Sequence, residues 1–346
     1  MTTSTLTLAK ALNAGLRRAL ADDDHVLLMG EDIGKLGGVY RVTDGLQNEF
    51  GARRVMDTPL AESGIIGTAI GMAYRGYRPV CEIQFDGFVY PAFDQIVSQL
   101  AKMHARTRGI VRLPLTIRIP VGGGIGAAEH HSESPEAYFA HTAGLRVVSV
   151  SNPQDAATML RQSIASDDPV IFFEPKRRYH LKGEVDDAVA LGDAMPLGAA
   201  RVALARTGDG PAVTLVTWGG LVGVAMDAAL AAADEGVAIE VIDLRSLSPI
   251  DYDTVSASVR ATGRIVIAQE GPGEAGLASE IAAVVTERCF HFLEAAPVRV
   301  TGHDVPYPPA KLEKHHLPDL DRILDGVDRV LGRHGAQAPA PPAAVR

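Results

Sequence analysis

The stretch Val55–Gly76, VMDTPLAESGIIGTAIGMAYRG, decides how the rest of the chain is read. It opens as a strand end, and Asp57-Thr58-Pro59 interrupts any helix, because proline disfavours α geometry in the residue before it. Ser63 is placed to cap a helix running through Ile65, Ile66, Ala69, Ile70 and Ala73. Gly64, Gly67 and Gly71 each weaken that helix by about 1 kcal/mol, yet they let another backbone come close. Glu62 stands at the mouth of this apolar helix, where burial would partly desolvate its carboxylate. A plainer explanation is a glutamate held near a helix N-terminus by the dipole. The stretch alone leaves both open.

Outward from it, strands and helices alternate. Leu8, Leu12, Leu16 and Leu20 repeat at helical spacing up to Asp22-Asp23-Asp24. HVLLMGED (25–32) reads as a buried strand and RPVCEIQF (78–85) as the next. FVYPAFDQIVSQLAKMHA (88–105) reads as one amphipathic helix and LTIRIP (115–120) as a strand opening into a glycine-rich loop, Val121–Ala128. Arg146–Val150, a helix started by Asn152-Pro153, and PVIFFE (169–174) complete one unit; proline at the first helical position after an asparagine cap is a specific start signal. Residues 175–207 read as irregular. A second unit follows: AVTLVTWG, a helix over 221–235, VAIEVIDL, a helix from Asp251, RIVIAQE, a helix over 275–289, and PVRVTG. Such alternation predicts α/β architecture, two parallel-sheet three-layer domains. The boundaries expected are a first domain over 1–185, a linker over 186–207, a second domain over 208–334, and a disordered Pro/Ala-rich tail over 335–346.

Composition narrows the function classes. The 346 residues are 47% hydrophobic with a net charge of −9, and the densest basic cluster is Lys176-Arg177-Arg178, so nucleic acid is not an expected partner. No apolar run reaches the roughly 18 residues of a membrane span, and the N-terminus has no signal-peptide core. Cys81 and Cys289 lie far apart in apolar surroundings and read as buried thiols. The expectation is a soluble, cytoplasmic protein.

Three patterns carry candidate chemistry. GPGEAG (271–276) fits G-x-G-x-x-G between a strand and a helix, and Glu294 lies about 20 residues further on, where a ribose-binding acid is sought. It would make the protein a nicotinamide (NAD-dependent) dehydrogenase. Against that, the motif follows the third strand of its unit, and Pro272 and Glu274 crowd the turn a pyrophosphate should approach. Gly208-Asp209-Gly210 has the first half of a diphosphate-and-magnesium motif but no Asn-Asn behind it, and reads as a turn. His130 and His131 follow the glycine-rich loop at the carboxyl end of a strand, where α/β ligand sites form, and their ordinary pKa suits proton transfer. Zinc would need further ligands at sensible spacing, which the neighbourhood does not offer. A solvated histidine pair is the plainer alternative.

The blocks MGED, GGVYRVTDGL, RVMDTPLAESGIIGTAIGMA, EIQFDGFVYPAFDQIVSQ, HHSESPEAYFAH and PVIFFEPK together resemble the β subunit of the thiamin-diphosphate-dependent decarboxylase (E1) component of 2-oxo-acid dehydrogenase complexes. The resemblance runs from about residue 5 to 330, and 130–138 with FDGFVYPAFDQ is more similar to the branched-chain branch than to the pyruvate branch. It implies a pyrimidine-binding domain followed by a transketolase C-terminal-like domain. It also implies an α2β2 heterotetramer with an α subunit, thiamin diphosphate held between the two chains, Mg²⁺ held by the α chain, and a lipoyl acyltransferase core as acceptor of the acyl group from a 2-oxo acid.

Residue by residue, Glu62 matches the glutamate that hydrogen-bonds the aminopyrimidine nitrogen and promotes its imino tautomer. Phe88 matches the aromatic stacked on that ring, Leu60 contributes to the pocket, and His131 matches the active-site histidine that assists proton transfer around the lipoyl acceptor. Carbonyls near Leu113, Leu115, Thr116, Ser163, Ser166 and Asp168 match a structural potassium site. One departure stands out: Ser132-Glu133-Ser134 puts a carboxylate where many relatives carry an amide. Facing the site, Glu133 would raise the pKa of His131 and disfavour an anionic substrate; facing solvent, it would do neither. Pyruvate, acetoin-cleaving and 1-deoxysugar-forming relatives share the fold, and a scaffold role is conceivable if the partner carried all catalysis.

Overall fold

The computed structural model describes residues 3–186, 189–208 and 210–333; the tail expected to be disordered lies outside them. The first half runs β1 (Thr3–Thr7), α1 (Leu8–Asp22), β2 (Val26–Gly30), α2 (Leu46–Phe50), β3 (Val55–Asp57), α3 (Glu62–Tyr74), β4 (Arg78–Glu82) and α4 (Ala101–Arg106). It continues with β5 (Thr116–Val121), α5 (Glu136–Ala140), β6 (Arg146–Ser149), α6 (Pro153–Ala165), β7 (Val170–Pro175) and β8 (Lys182–Asp186). The second half runs β9 (Arg201–Leu204), β10 (Ala212–Thr217), α7 (Val222–Asp234), β11 (Ala238–Asp243), β12 (Ser246–Ser248) and α8 (Tyr252–Thr262). Then come β13 (Ile265–Pro272), α9 (Leu277–Cys289), β14 (Val298–Gly302), α10 (Glu313–His316) and α11 (Leu320–Val330).

Two sheets, ordered β12-β6-β7-β5-β4-β2-β3 and β14-β13-β10-β11-β9, carry the fold. Pairing is parallel throughout except for β12 on β6 and β9 on β11, and β1 with β8 forms a separate antiparallel ribbon. The central strands β2, β5 and β7 are buried on both faces, as parallel strands covered by helices must be. Helix α1 docks on α6 where Gly15 meets Ala157; a Cβ on Gly15 would lie 3.0 Å from the Ala157 carbonyl oxygen. Asn152 caps α6 as its sequence predicts, accepting the Asp155 N–H at 2.9 Å.

The structure departs from the sequence reading in three places. Residues 175–207, read as irregular, contain β8 and β9, the second of which is the edge of the smaller sheet. The single helix expected over 88–105 is a 3₁₀ turn (Asp86–Ala92), a π-helical stretch (Gln95–Leu100) and α4; Pro91 has no N–H to give and the turn stays tight. Lastly, β12 crosses from the second half to finish the larger sheet, pairing Ser246 with Val148.

Candidate active site

Strands β2, β3, β4, β5 and β7 run parallel, so the residues following them gather on one rim. That rim is where ligands bind in α/β sheets. Glu31 follows β2, Leu60 and Glu62 follow β3, Phe85 to Phe88 follow β4, the glycine loop follows β5 and Lys176 follows β7. Helix α3 packs against the Asp86–Ala92 turn, which brings the helix of Glu62 beside the residues after β4.

Glu62 is the first residue of α3, buried to 6% exposure, whereas Leu60 two residues earlier is 79% exposed. The N-cap is Ala61 with no side-chain bond, so Ser63 lies within the first turn and does not cap the helix. Beside Glu62 the Glu31 carboxylate is buried, with Oε1 unpaired among the described residues. Burial, reinforced by the charges of Glu62 and Asp32, pushes the Glu31 carboxyl above the usual range.

His131 ends a short 3₁₀ turn, Glu129–His131. Its ring centroid lies 4.1 Å from that of Phe85 and 5.2 Å from that of Phe88, the latter edge-on. Nδ1 is buried with no hydrogen-bond partner among the described residues. Burial first, then His130 and Lys176, lower the His131 pKa against the opposing pull of Glu129. The neutral ring is therefore favoured near pH 7, a form able to accept a proton.

The backbone around this histidine is held tightly. A Cβ on Gly87 would fall 2.3 Å from the His130 carbonyl oxygen, so only glycine fits there. Asp86 accepts the Glu133 N–H at 2.8 Å and pairs with Lys176, both side chains fully buried. Burial pushes the Asp86 carboxyl up to about 6 despite Lys176. Glu133 does not act on His131: its carboxylate accepts the Tyr90 hydroxyl at 2.7 Å. It faces a cavity of about 120 Å³ lined also by Tyr138, Glu270, Tyr307 and His316. Of the two orientations left open for Glu133, the one that would raise the His131 pKa is not adopted.

Sequence reasoning missed a buried charge network below the rim. Arg118 donates to Glu82 at 2.6 Å and twice to Glu174 at 2.7 and 2.9 Å, and the Tyr179 hydroxyl completes Glu174 at 2.7 Å. The signal was Glu82, Arg118 and Glu174 standing in largely apolar strands, with Glu82 and Arg118 in direct register.

The glycine-rich loop meets Glu270, the residue just before GPGEAG, and Glu313. Glu270 accepts the Gly123 N–H and pairs with Arg177 at 3.0 Å, while Glu313 accepts the N–H groups of Gly124 and Gly126 at 2.7 and 3.1 Å. Donors that could cradle a phosphate are spent on internal carboxylates. Glu294 pairs with Arg264 at the amino end of β13, the opposite end from GPGEAG, which removes the nicotinamide reading. Leu113, Leu115, Thr116, Ser163, Ser166 and Asp168 lie together on the opposite rim, where β5 and β7 begin. There the Leu115 carbonyl accepts the Val170 N–H at 2.9 Å and the Ser166 carbonyl accepts from Arg78 at 3.1 Å.

Comparison with known proteins settles the family. The transketolase pyrimidine-binding domain matches residues 4–182 and the transketolase C-terminal domain matches residues 203–323. The chain is 61% identical, over 94% of its length and 95% of the relative's, to the pyruvate dehydrogenase E1 component subunit beta of Leifsonia xyli subsp. xyli. It is 54% identical, over 95% and 93%, to the 3-methyl-2-oxobutanoate dehydrogenase subunit beta of Mycobacterium tuberculosis. The chain belongs to the E1 β subunits of 2-oxo-acid dehydrogenases. A split-gene transketolase in an inactive β4 tetramer shares the fold, with a TM-score of 0.75 at 23% identity over 94% of this chain and 98% of the other.

Membership in this E1 β family makes the protein part of an oxidoreductase and implies thiamin diphosphate as cofactor and an α subunit as partner. The rim fits the pyrimidine half of that cofactor: the unpaired Glu31 oxygen lies beside Glu62, and the apolar Leu60 is left open. The glycine-loop N–H groups that could meet a diphosphate are already taken by Glu270 and Glu313. Among the described residues no three His, Cys, Asp or Glu side chains gather to hold a metal, and no helix is long and apolar enough to cross a membrane.

Proposed function

We propose that this chain works with an α subunit in a cytoplasmic α2β2 heterotetramer that decarboxylates a branched-chain 2-oxo acid and transfers the acyl group to the lipoyl group of an acyltransferase core. Thiamin diphosphate supplies the carbanion chemistry, and the protein supplies orientation and polarity. Glu62 would hold the aminopyrimidine nitrogen through its buried carboxyl, which could give or take a proton there. Phe88 and Leu60 would pack against the ring, and neutral His131 would take up or return a proton near the acyl acceptor. Mg²⁺ and the diphosphate belong to the α chain. The six residues at the opposite rim take a structural potassium ion through their carbonyls, and K⁺ in place of Na⁺ should raise the melting temperature.

The observation that carries this reading is the pairing of a 6%-exposed Glu62 with a 79%-exposed Leu60: a buried acid beneath an apolar surface that needs a cover. A pyruvate-specific enzyme is the second reading, favoured by the Leifsonia relative's name. Turnover of 3-methyl-2-oxobutanoate and pyruvate by the purified heterotetramer separates the two. A higher kcat/KM for the branched substrate supports the first, and a preference for pyruvate replaces it.

A further inference from the structure

The segment between β5 and His131 is gripped from the C-terminal half of the chain. Gly122, Gly124 and Gly126 have φ values of 82°, 85° and 69°. The Gly122 N–H donates to the Glu133 carbonyl at 2.8 Å, while those of Gly123, Gly124 and Gly126 turn toward carboxylates as in an anion-binding nest. The anions that fill it are internal. Glu313 spans Gly124 and Gly126 with its two oxygens, and the Tyr307 hydroxyl donates to the same carboxylate at 2.7 Å. Glu270 takes the Gly123 N–H and is itself paired with Arg177. Tyr307 packs so closely that a Cβ on Gly123 would fall 1.7 Å from its hydroxyl oxygen. Four side chains therefore fix a loop whose glycines have little conformational preference of their own.

We propose that Glu313, seconded by Glu270, is a positioning residue: the C-terminal half holds loop 122–126 by its N–H groups and thereby sets the place of His131. Charge-assisted bonds to backbone N–H groups are strong and directional, so one carboxylate can fix two peptide units. Glu313 lies in α10, away from the rim residues assigned to the cofactor, and touches none of them. The consequence for acyl transfer rests on the proton-transfer role given to His131 above; the consequence for loop order does not.

The test compares Glu313→Leu, Glu313→Gln and His131→Ala in the assembled heterotetramer. Glu313→Leu removes both acceptors, whereas Glu313→Gln keeps a carbonyl for one N–H. Amide exchange over 122–131 should accelerate at least tenfold in Glu313→Leu and much less in Glu313→Gln. Lipoyl acylation should fall 10- to 100-fold in Glu313→Leu, the scale of a small misplacement of a catalytic group. Decarboxylation read with an artificial electron acceptor should stay near the parent rate, and Glu313→Gln should recover most of the acylation. Unchanged exchange in Glu313→Leu overturns the positioning claim, as does an equal fall of both half-reactions, which would mark general destabilisation. If exchange accelerates while His131→Ala keeps full acylation, the loop is held as proposed and it is the His131 role that fails.

Discussion

The Lys176 ammonium and the Asp86 carboxylate form an ion pair closed to solvent, and the second Asp86 oxygen accepts the N–H of Glu133, two residues past His131. Removing one member of such a pair leaves an uncompensated buried charge, at a typical cost of about 3–5 kcal/mol. Lys176→Met should show that loss in chemical unfolding at pH 8. Asp86 titrates in the folded protein up at about 6, above its ordinary 3.8. The native state therefore binds the extra proton between those values, and stability falls as pH rises through that window. Without Lys176 the carboxyl rises further, so the loss should shrink at pH 5. An equal loss at both pH values would show that Asp86 is not the group left exposed to the change.

Glu62→Gln should keep fold and assembly while lowering decarboxylation by a factor of 100 or more, the usual scale of a lost acid–base group. The check is steady-state turnover with the α subunit present. Near-parental turnover would remove Glu62 from the mechanism.

Glu136 is buried against Trp218, whose indole N–H donates at 3.4 Å, and burial raises its carboxyl from 4.5 to about 7. A folded pKa raised in this way means stability is lost as pH climbs from about 4.5 through 7. Glu136→Gln keeps an acceptor for Trp218 and removes the charge. It should therefore raise stability by up to about 3 kcal/mol at pH 8 and leave it nearly unchanged at pH 4.5. Melting curves at both pH values decide it; a variant no more stable at pH 8 contradicts the buried charge.

Much of the fold was legible because its signals are local. Asn152-Pro153 starts α6, apolar runs give β2, β10 and β13, and helical spacing gives α1. What escaped depends on partners remote in sequence. Strand β9 is four residues of ordinary alternation and exists because β11 offers an edge. Asp86 and Lys176 lie 90 residues apart, so no spacing rule joins them. Residue 87 comes so close to His130 that only glycine fits, a tertiary contact that no local pattern announces. His131 and Phe88, singled out by resemblance, are in ring contact, while Glu133 turned out to answer Tyr90.

The central proposal is that the described residues of this chain supply the pyrimidine half of a cofactor site and the α subunit supplies the diphosphate half. Its glycine-loop donors are taken by Glu270 and Glu313, and no metal-ligand cluster occurs among the described residues. Mg²⁺ bound with a diphosphate ordinarily needs one or two carboxylates beside the phosphates. Isothermal titration of thiamin diphosphate with Mg²⁺ into the chain alone, and then into the chain mixed with its α subunit, tests this directly. The account expects no tight site in the first titration and a stoichiometric one in the second. Micromolar binding by the isolated chain would contradict it.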